Sequence, residues 1–424
     1  MDRRTLATVD PFIAAAIREE CERQETSLNL IASENVPSAA VREALGSALG
    51  GKYAEGYPGR RFYGGCTVVD RIEQTAIDRA KALFGTAHAN VQPHSGSHAN
   101  MAVLHAILKP GDVMLSPDLT HGGHMSAGAA VNYSGRLYSV VPYGVRRDSE
   151  RIDLDQVRTL ARQHRPRLII AGGSAFPRAI DFTAFRDIAR EVGARLLADV
   201  AHPAGLIAAD LHPSPAGLAD FVTTSTHETL RGPCGGLILC GADDASVIDR
   251  AVMPGIQAGP HMHAIAAKAI AFWEAAAPSW RVYQQHVLDN ARVLAGTLLD
   301  HGYRLVTGGT DTHLILVDLS AHGVTGRHAQ EALDAAGITV NKNPVPFDRR
   351  GLLETSGIRL GTPAATSRGL GTAEMATVAR LIDRVVASRG APHIVHAVRQ
   401  EVAEIARSFP LDVDQRADAA QPRR

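Results

Sequence analysis

The sequence predicts an α/β protein: a large domain built on a mainly parallel sheet, followed by a smaller α+β domain. Three observations carry this. Between about residues 70 and 240, short apolar runs alternate with helix-like segments, the pattern of a parallel sheet covered by helices on both faces. After residues 253–263 the pattern changes to long helical stretches with short strands between them. The chain has 424 residues, a length that suits two cores better than one.

In order along the chain, the N-terminal stretch 1–40 precedes the alternation and reads as an arm. The large domain then covers 41–275. Apolar runs at 168–172 (LIIAG), 194–199 (ARLLAD), 220–224 (DFVTT) and 236–240 (GLILC) predict buried strands, and 182–192 predicts a helix between two of them. Ligands on such sheets sit at the carboxyl ends of the strands. The smaller domain, 276–424, takes helices at 264–276 and 281–301 as its approach, then strands at 303–306 and 313–317 and helices near 328–336 and 373–388. The tail 412–424 is polar and is expected to fray.

Composition narrows the class. Hydrophobic residues are 45% and charged residues 21% with a formal net charge of +0, so nothing points to a nucleic-acid surface. Cys21, Cys66, Cys234 and Cys240 are scattered without a CxxC pair, so neither zinc nor a disulfide framework is expected. A reduced, cytoplasmic setting follows. The first residues carry no apolar signal core. The most apolar long stretch, 264–277, is interrupted by Lys268 and Glu274, so no membrane span is expected.

Several segments carry chemistry. NVQPHSGSHAN (90–100) puts Ser95, Gly96 and Ser97 ahead of an apolar helical run, which suits a phosphate at a helix start or an ordinary N-cap. Asp199 and His202 follow the strand ending at Ala198; the acid either pairs with a ring nitrogen or caps a turn. TTSTHETLRGPCGG (223–236) has His227 and Glu228 at its centre, as a polar ligand wall or a solvated loop. KYAEGYPGRRFYGG (52–65) mixes tyrosines with Glu55, fit to stack on a flat ligand and move a proton, or to form a subunit contact. Arg359, between glycines in GIRLG, suits a carboxylate or a structural salt bridge.

Together with LIASEN (30–35), THGGH (120–124), VNKNPVP (340–346) and SGIRLGTPA (356–364), these segments strongly resemble the serine hydroxymethyltransferase (glycine hydroxymethyltransferase) family, in the family's order over roughly residues 8–410. The resemblance implies a fold-type I, aspartate aminotransferase-like architecture that binds pyridoxal 5′-phosphate (PLP). It also implies a homodimer, or a tetramer built from it, with active sites shared across the interface. Ser95, Gly96 and Ser97 match the phosphate seat, and His124 matches the residue stacked on the cofactor ring. Asp199 matches the partner of the ring nitrogen, and His202 the contact on the hydroxyl side. Arg359 and Ser33 match residues that hold the amino-acid substrate. Glu55 matches the proton-transfer carboxylate near tetrahydrofolate, with Tyr53 and Tyr63 coming from the partner subunit's side. Asn343, Gly122 and Gly123 belong to the matching folate and cofactor set. Phe62 stands where many members have tyrosine.

One departure changes the chemistry. The family has a lysine after the histidine of its TTTTHK motif, and here His227 is followed by Glu228; a carboxylate forms no imine with PLP. Cys234 stands where the family usually has arginine and Ile256 where it has glycine. The expectation is a pocket three charge units more negative, narrowed near the phosphate seat and less suited to a phosphate dianion. Cys234 as a nucleophile is the weaker reading, since most cysteines are inert. Three functions compete. The favoured one is hydroxymethyl (one-carbon) transfer from 5,10-methylenetetrahydrofolate to a small acceptor, PLP being held non-covalently if at all, with Glu228 and His227 among the catalytic groups. The second is ordinary serine–glycine interconversion with weak non-covalent PLP. The third is a non-catalytic binding partner.

Overall fold

The alternation read from the sequence becomes a seven-stranded sheet. The computed structural model describes residues 5–411, so the tail at 412–424 lies outside the described residues. The sheet strands are β1 (His88–Asn90), β2 (Val113–Pro117), β3 (Ser139–Tyr143), β4 (Leu168–Gly172), β5 (Arg195–Asp199), β6 (Phe221–Ser225) and β7 (Gly236–Cys240), in the order β1-β7-β6-β5-β4-β2-β3. From β3 to β6 every pairing is parallel, and only β7 runs against its neighbours. β4, β6 and β7 are buried along their whole length, which is why they read as unbroken apolar runs.

The helices form for local reasons that the sequence displays. The predicted helix Phe182–Val192 starts where Asp181 accepts the Ala184 N–H at 2.9 Å and stops at Gly193, whose φ of +73° glycine adopts without strain. Phe182, Phe185, Ile188 and Ala189 put one apolar face on the sheet. The helix Gly96–Ile107 is capped by Ser95, whose hydroxyl accepts the His98 N–H at 3.1 Å. Its buried face, Ala99, Ala102, Val103 and Leu104, carries one polar residue, Asn100.

A second, four-stranded antiparallel sheet takes β8 (Arg304–Leu305), β9 (Leu314–Asp318), β10 (Asn341–Asn343) and β11 (Gly357–Gly361) in the order β8-β9-β11-β10. It shares an apolar cluster with helices Gly326–Ala335, Thr372–Ala387 and Pro392–Ser408, through Leu333, Val378, Leu381 and Val398 among others. Helix Pro278–Asp300 joins the two halves: Trp280 packs in the large-sheet core and Leu294 and Leu298 in the second. The N-terminal arm is tied to the second half, because Leu28 and Asn29 pair in parallel with Ile338 and Thr339. Among the described residues no helix is long and apolar enough to cross a membrane.

Candidate active site

The strand ends are level. Gly172 pairs with Asp199, and Asp199 with Thr223, so the loops after β4, β5 and β6 open at one edge of the sheet. There they line a cavity of about 290 Å³. It brings together Ser33 from the arm, Ser95, Gly96 and Ser97 from the helix start, His124, Asp199, His202, His227, Glu228 and Arg359. Asn100, Gly173, Ser174, Ala201 and Ser225 complete the wall; of these, Asn100 and Ser174 take on roles that the sequence reading had not assigned.

One wall is a closed polar network. Asp199 both caps its own turn and faces the cavity: Oδ1 accepts the Ala201 N–H at 3.1 Å and Oδ2 accepts Asn100 Nδ2 at 2.8 Å. Asn100 also donates to Ser126 Oγ at 3.0 Å and accepts from Thr223 Oγ1 at 2.6 Å. Ser126 in turn sits 2.7 Å from His124 Nδ1, which also accepts the Ser126 N–H at 3.2 Å. Nδ1 is therefore the accepting nitrogen and Nε2 bears the ring N–H.

The opposite wall centres on Glu228. Its turn is held by Asn35, whose amide donates to the Glu228 carbonyl at 2.8 Å, and by Thr229, which donates to the His202 carbonyl at 2.6 Å. Arg359 Nη1 donates to the Ser174 carbonyl at 2.6 Å and lies 3.3 Å from His202 Nε2; its Nε donates to Asn341 at 3.1 Å. A guanidinium only donates, so Nε2 of His202 accepts and Nδ1 bears the hydrogen. That Nδ1 lies 3.3 Å from both His313 Nε2 and Glu228 Oε2. The contact with Glu228 is close but poorly aligned, and Oε2 has no hydrogen-bond partner. His227 Nε2 is 4.0 Å from Oε1.

Burial sets the protonation states. It raises the Glu228 pKa to about 8, aided by the charge of Asp199 and opposed by Arg359 and Ser225. Burial, then Arg359, pushes His202 well below its usual range and His313 down to about 3; burial also lowers His227. At neutral pH the carboxyl thus holds its proton while these imidazoles stay neutral.

The other expected residues lie away from this cavity. Tyr53 and Tyr63 are exposed and meet edge to face at 5.4 Å; Phe62 is 77% exposed. Glu55 anchors the same hairpin through its carbonyl, which accepts the Phe62 N–H at 3.0 Å. Asn343 lies on β10 and donates to the Pro344 carbonyl. Gly122 and Gly123 serve the loop: the Gly122 carbonyl accepts the Ser174 N–H at 2.8 Å, and a Cβ on Gly123 would come within 2.4 Å of the Pro117 oxygen. Two expectations need correction. Cys234 is exposed and does not line the cavity, so the charge change there comes from Glu228 alone. Ile256 packs against the cluster of Ala99, Ala102 and Val103 and not on the phosphate seat. Both were placed there from the family pattern, and in this chain they face away from the cavity.

The residues present fit PLP only as a non-covalent ligand. Ser95, Gly96, Ser97, Asp199 and His124, which the resemblance assigns to a PLP seat, all line the cavity, and no lysine is among its described lining residues. Lys268 is buried, with Nζ donating to the carbonyls of Val91, Pro93 and Gly236 at 2.7, 2.9 and 2.8 Å. Lys52 is bonded to the Gly64 carbonyl. Among the described residues no cluster suits a metal ion. Compared with known protein families, residues 6–382 match the family described as serine hydroxymethyltransferase.

Proposed function

The chain belongs to the serine hydroxymethyltransferase family, whose members are fold-type I transferases, and on that premise we propose that it transfers a one-carbon hydroxymethyl unit from 5,10-methylenetetrahydrofolate to a small acceptor without a covalent PLP anchor. The observation that carries this is Glu228, a protonatable carboxyl buried where an imine-forming amine is needed, in a cavity that no lysine lines.

The carboxyl with a pKa near 8 is matched to proton transfer near neutral pH. Opening the folate ring needs a proton on the departing nitrogen. Glu228 gives that proton and becomes the carboxylate; water adds to the resulting N5 iminium and the N5–carbon bond breaks, freeing tetrahydrofolate and formaldehyde. The acceptor then bonds to the formaldehyde carbon as its own proton passes to the Glu228 carboxylate, and the proton released by the water ends on the new hydroxyl oxygen. His227 and His202, held neutral, flank it. Arg359 fixes an anionic group of the acceptor. Glu55, Tyr53 and Tyr63, on an exposed hairpin, are proposed to complete the folate side of a partner copy's site in a homodimer, with Asn343, Gly122 and Gly123 shaping the same side. Ser33 borders the acceptor. Bound non-covalently, PLP would be held by Ser95, Gly96, Ser97, Asp199, His124 and His202 and would supply an electron sink.

That retained seat favours a second reading, serine–glycine interconversion with weakly held PLP. One experiment separates them. Methylene-labelled 5,10-methylenetetrahydrofolate is incubated with the protein and a panel of small acceptors, with and without PLP, beside calorimetry with tetrahydrofolate. Label transfer without PLP supports the proposal, and PLP-dependent release of glycine from serine supports the second reading. Glu55→Gln should lower turnover at least about tenfold with binding nearly unchanged, because it removes a proton and keeps the shape. Failure to bind tetrahydrofolate at millimolar concentration would leave a non-catalytic homologue.

A further inference from the structure

We propose that Glu228 makes the cavity a receptor for a primary ammonium group, so that the ligand brings the amine and the protein supplies the acceptor for it. The inference rests on the reading above only in placing Glu228 in the ligand cavity. Its basis is a buried carboxyl oxygen without a partner among the described residues. Oε2 of Glu228 is buried with no hydrogen-bond partner in a residue that lines the cavity, whereas buried acceptors are ordinarily satisfied.

Of the donors around it, the Ser225 hydroxyl is shared between the Glu228 carboxyl and the Ala201 carbonyl at 3.4 Å; the others are committed elsewhere. Arg359 spends Nη1 on Ser174 and His202 and Nε on Asn341. Asn35 donates to the backbone of Glu228, not to its carboxyl. His202 Nδ1 is aligned with His313. What remains is a carboxyl facing a polar cavity that also holds Asp199, and a compact group with several N–H donors satisfies such a site. Arg359 Nη2 makes no hydrogen bond among the described residues, and Ser95 starts a twelve-residue helix. The ligand therefore pairs its ammonium with an anionic group. Two sources share this chemistry: an amino-acid acceptor, with its carboxylate at Arg359, or pyridoxamine 5′-phosphate, with its phosphate at Ser95–Ser97.

Binding has a proton balance that reports on Glu228. With its pKa raised to about 8, the free carboxyl is protonated at neutral pH. When the ammonium arrives, the carboxyl becomes a carboxylate paired with it, and the displaced proton leaves to solvent. The other groups facing the cavity are Asp199, His124, His202 and His227 with Arg359, and His313 behind His202. Burial holds His202, His227 and His313 neutral, which makes them poor sinks for that proton.

The test is calorimetry at neutral pH in two buffers of different ionisation enthalpy, using two matched pairs: glycine against glycolate, and pyridoxamine 5′-phosphate against PLP. The amine of at least one pair should bind at least about tenfold more tightly than its oxygen counterpart, since a hydrogen bond to a charged group carries that much discrimination. It should release about one proton per ligand. Glu228→Gln should bring the ratio below about threefold and abolish proton release. A preference confined to glycine assigns the ammonium to the acceptor, and one confined to pyridoxamine phosphate assigns it to a cofactor; either supports the inference. Equal affinities in both pairs, a preference that survives Glu228→Gln, no proton release from the native protein, or no binding of any of the four overturns it. Folate-dependent transfer without an amine preference defeats this inference alone. An amine preference without folate binding defeats the proposed reaction alone.

Discussion

Lys268 and Glu228 each bury an ionisable head in the large-sheet half of the molecule, and their surroundings differ. The Lys268 ammonium has three N–H groups and finds three carbonyls, on Val91, Pro93 and Gly236. It fastens the approach to the Ser95 helix onto the start of β7. Burial, opposed by the charge of Glu73, moves its pKa down to about 7, and three well-placed acceptors favour the charged form. Glu228 has a cavity before it and an oxygen without a hydrogen-bond partner among the described residues. A buried ionisable head satisfied by its own chain is part of the scaffold; one left without a partner beside a cavity marks where a ligand completes the structure.

The comparison breaks most visibly at the lysine. Lys268→Met removes the donor for three buried carbonyls and should cost about 3 kcal/mol or more of unfolding free energy, measured by chemical denaturation. A loss below about 1 kcal/mol would mean that water or relaxation replaces the lysine and the contrast fails.

Glu228 should behave in the opposite sense. Its pKa rises from 4.5 to about 8 in the folded chain, so the native state keeps a proton that the unfolded chain has released. The stability this contributes is complete below the unfolded value, and it is lost as pH rises through the folded one. Glu228→Gln should therefore stabilise the apoprotein at about pH 9 relative to about pH 5, by an amount on the order of a few kcal/mol. Parallel pH–stability curves for the two proteins would show that Glu228 is not buried as an acid. The smallest effect is expected at Cys234, which is exposed. Adding Cys234→Arg to Glu228→Lys should change PLP affinity by less than about threefold in spectroscopic titration, because the added charge lies off the cavity.

The fold was legible where local pattern suffices. The strands Leu168–Gly172 and Gly236–Cys240 match their apolar runs because both faces are covered. Val113–Pro117 and Ser139–Tyr143 were not singled out. Each contains proline, and the second is an edge strand with exposed residues, so neither shows a clean run. In the site, residues within distinctive segments were readable, and ten reach one cavity: Ser33, Ser95, Gly96, Ser97, His124, Asp199, His202, His227, Glu228 and Arg359. Asn100, Ser126, Thr223 and His313 were not, because each gains its role from partners far along the chain, as Asn100 does from Asp199 and Thr223. Cys234 and Ile256 show the converse: positions put in the pocket by the family pattern lie off the cavity in this chain.

On the proposed reading, Glu228 stands in the place of the imine-forming amine and the chain holds no covalent PLP. That reading is tested most directly by incubating the purified protein with PLP, reducing with borohydride and mapping any pyridoxyl group by peptide mass spectrometry. The account predicts no visible imine absorbance and no borohydride-stable adduct on any lysine, including Lys52, Lys268 and Lys342. A stoichiometric reduced adduct on one lysine would contradict it.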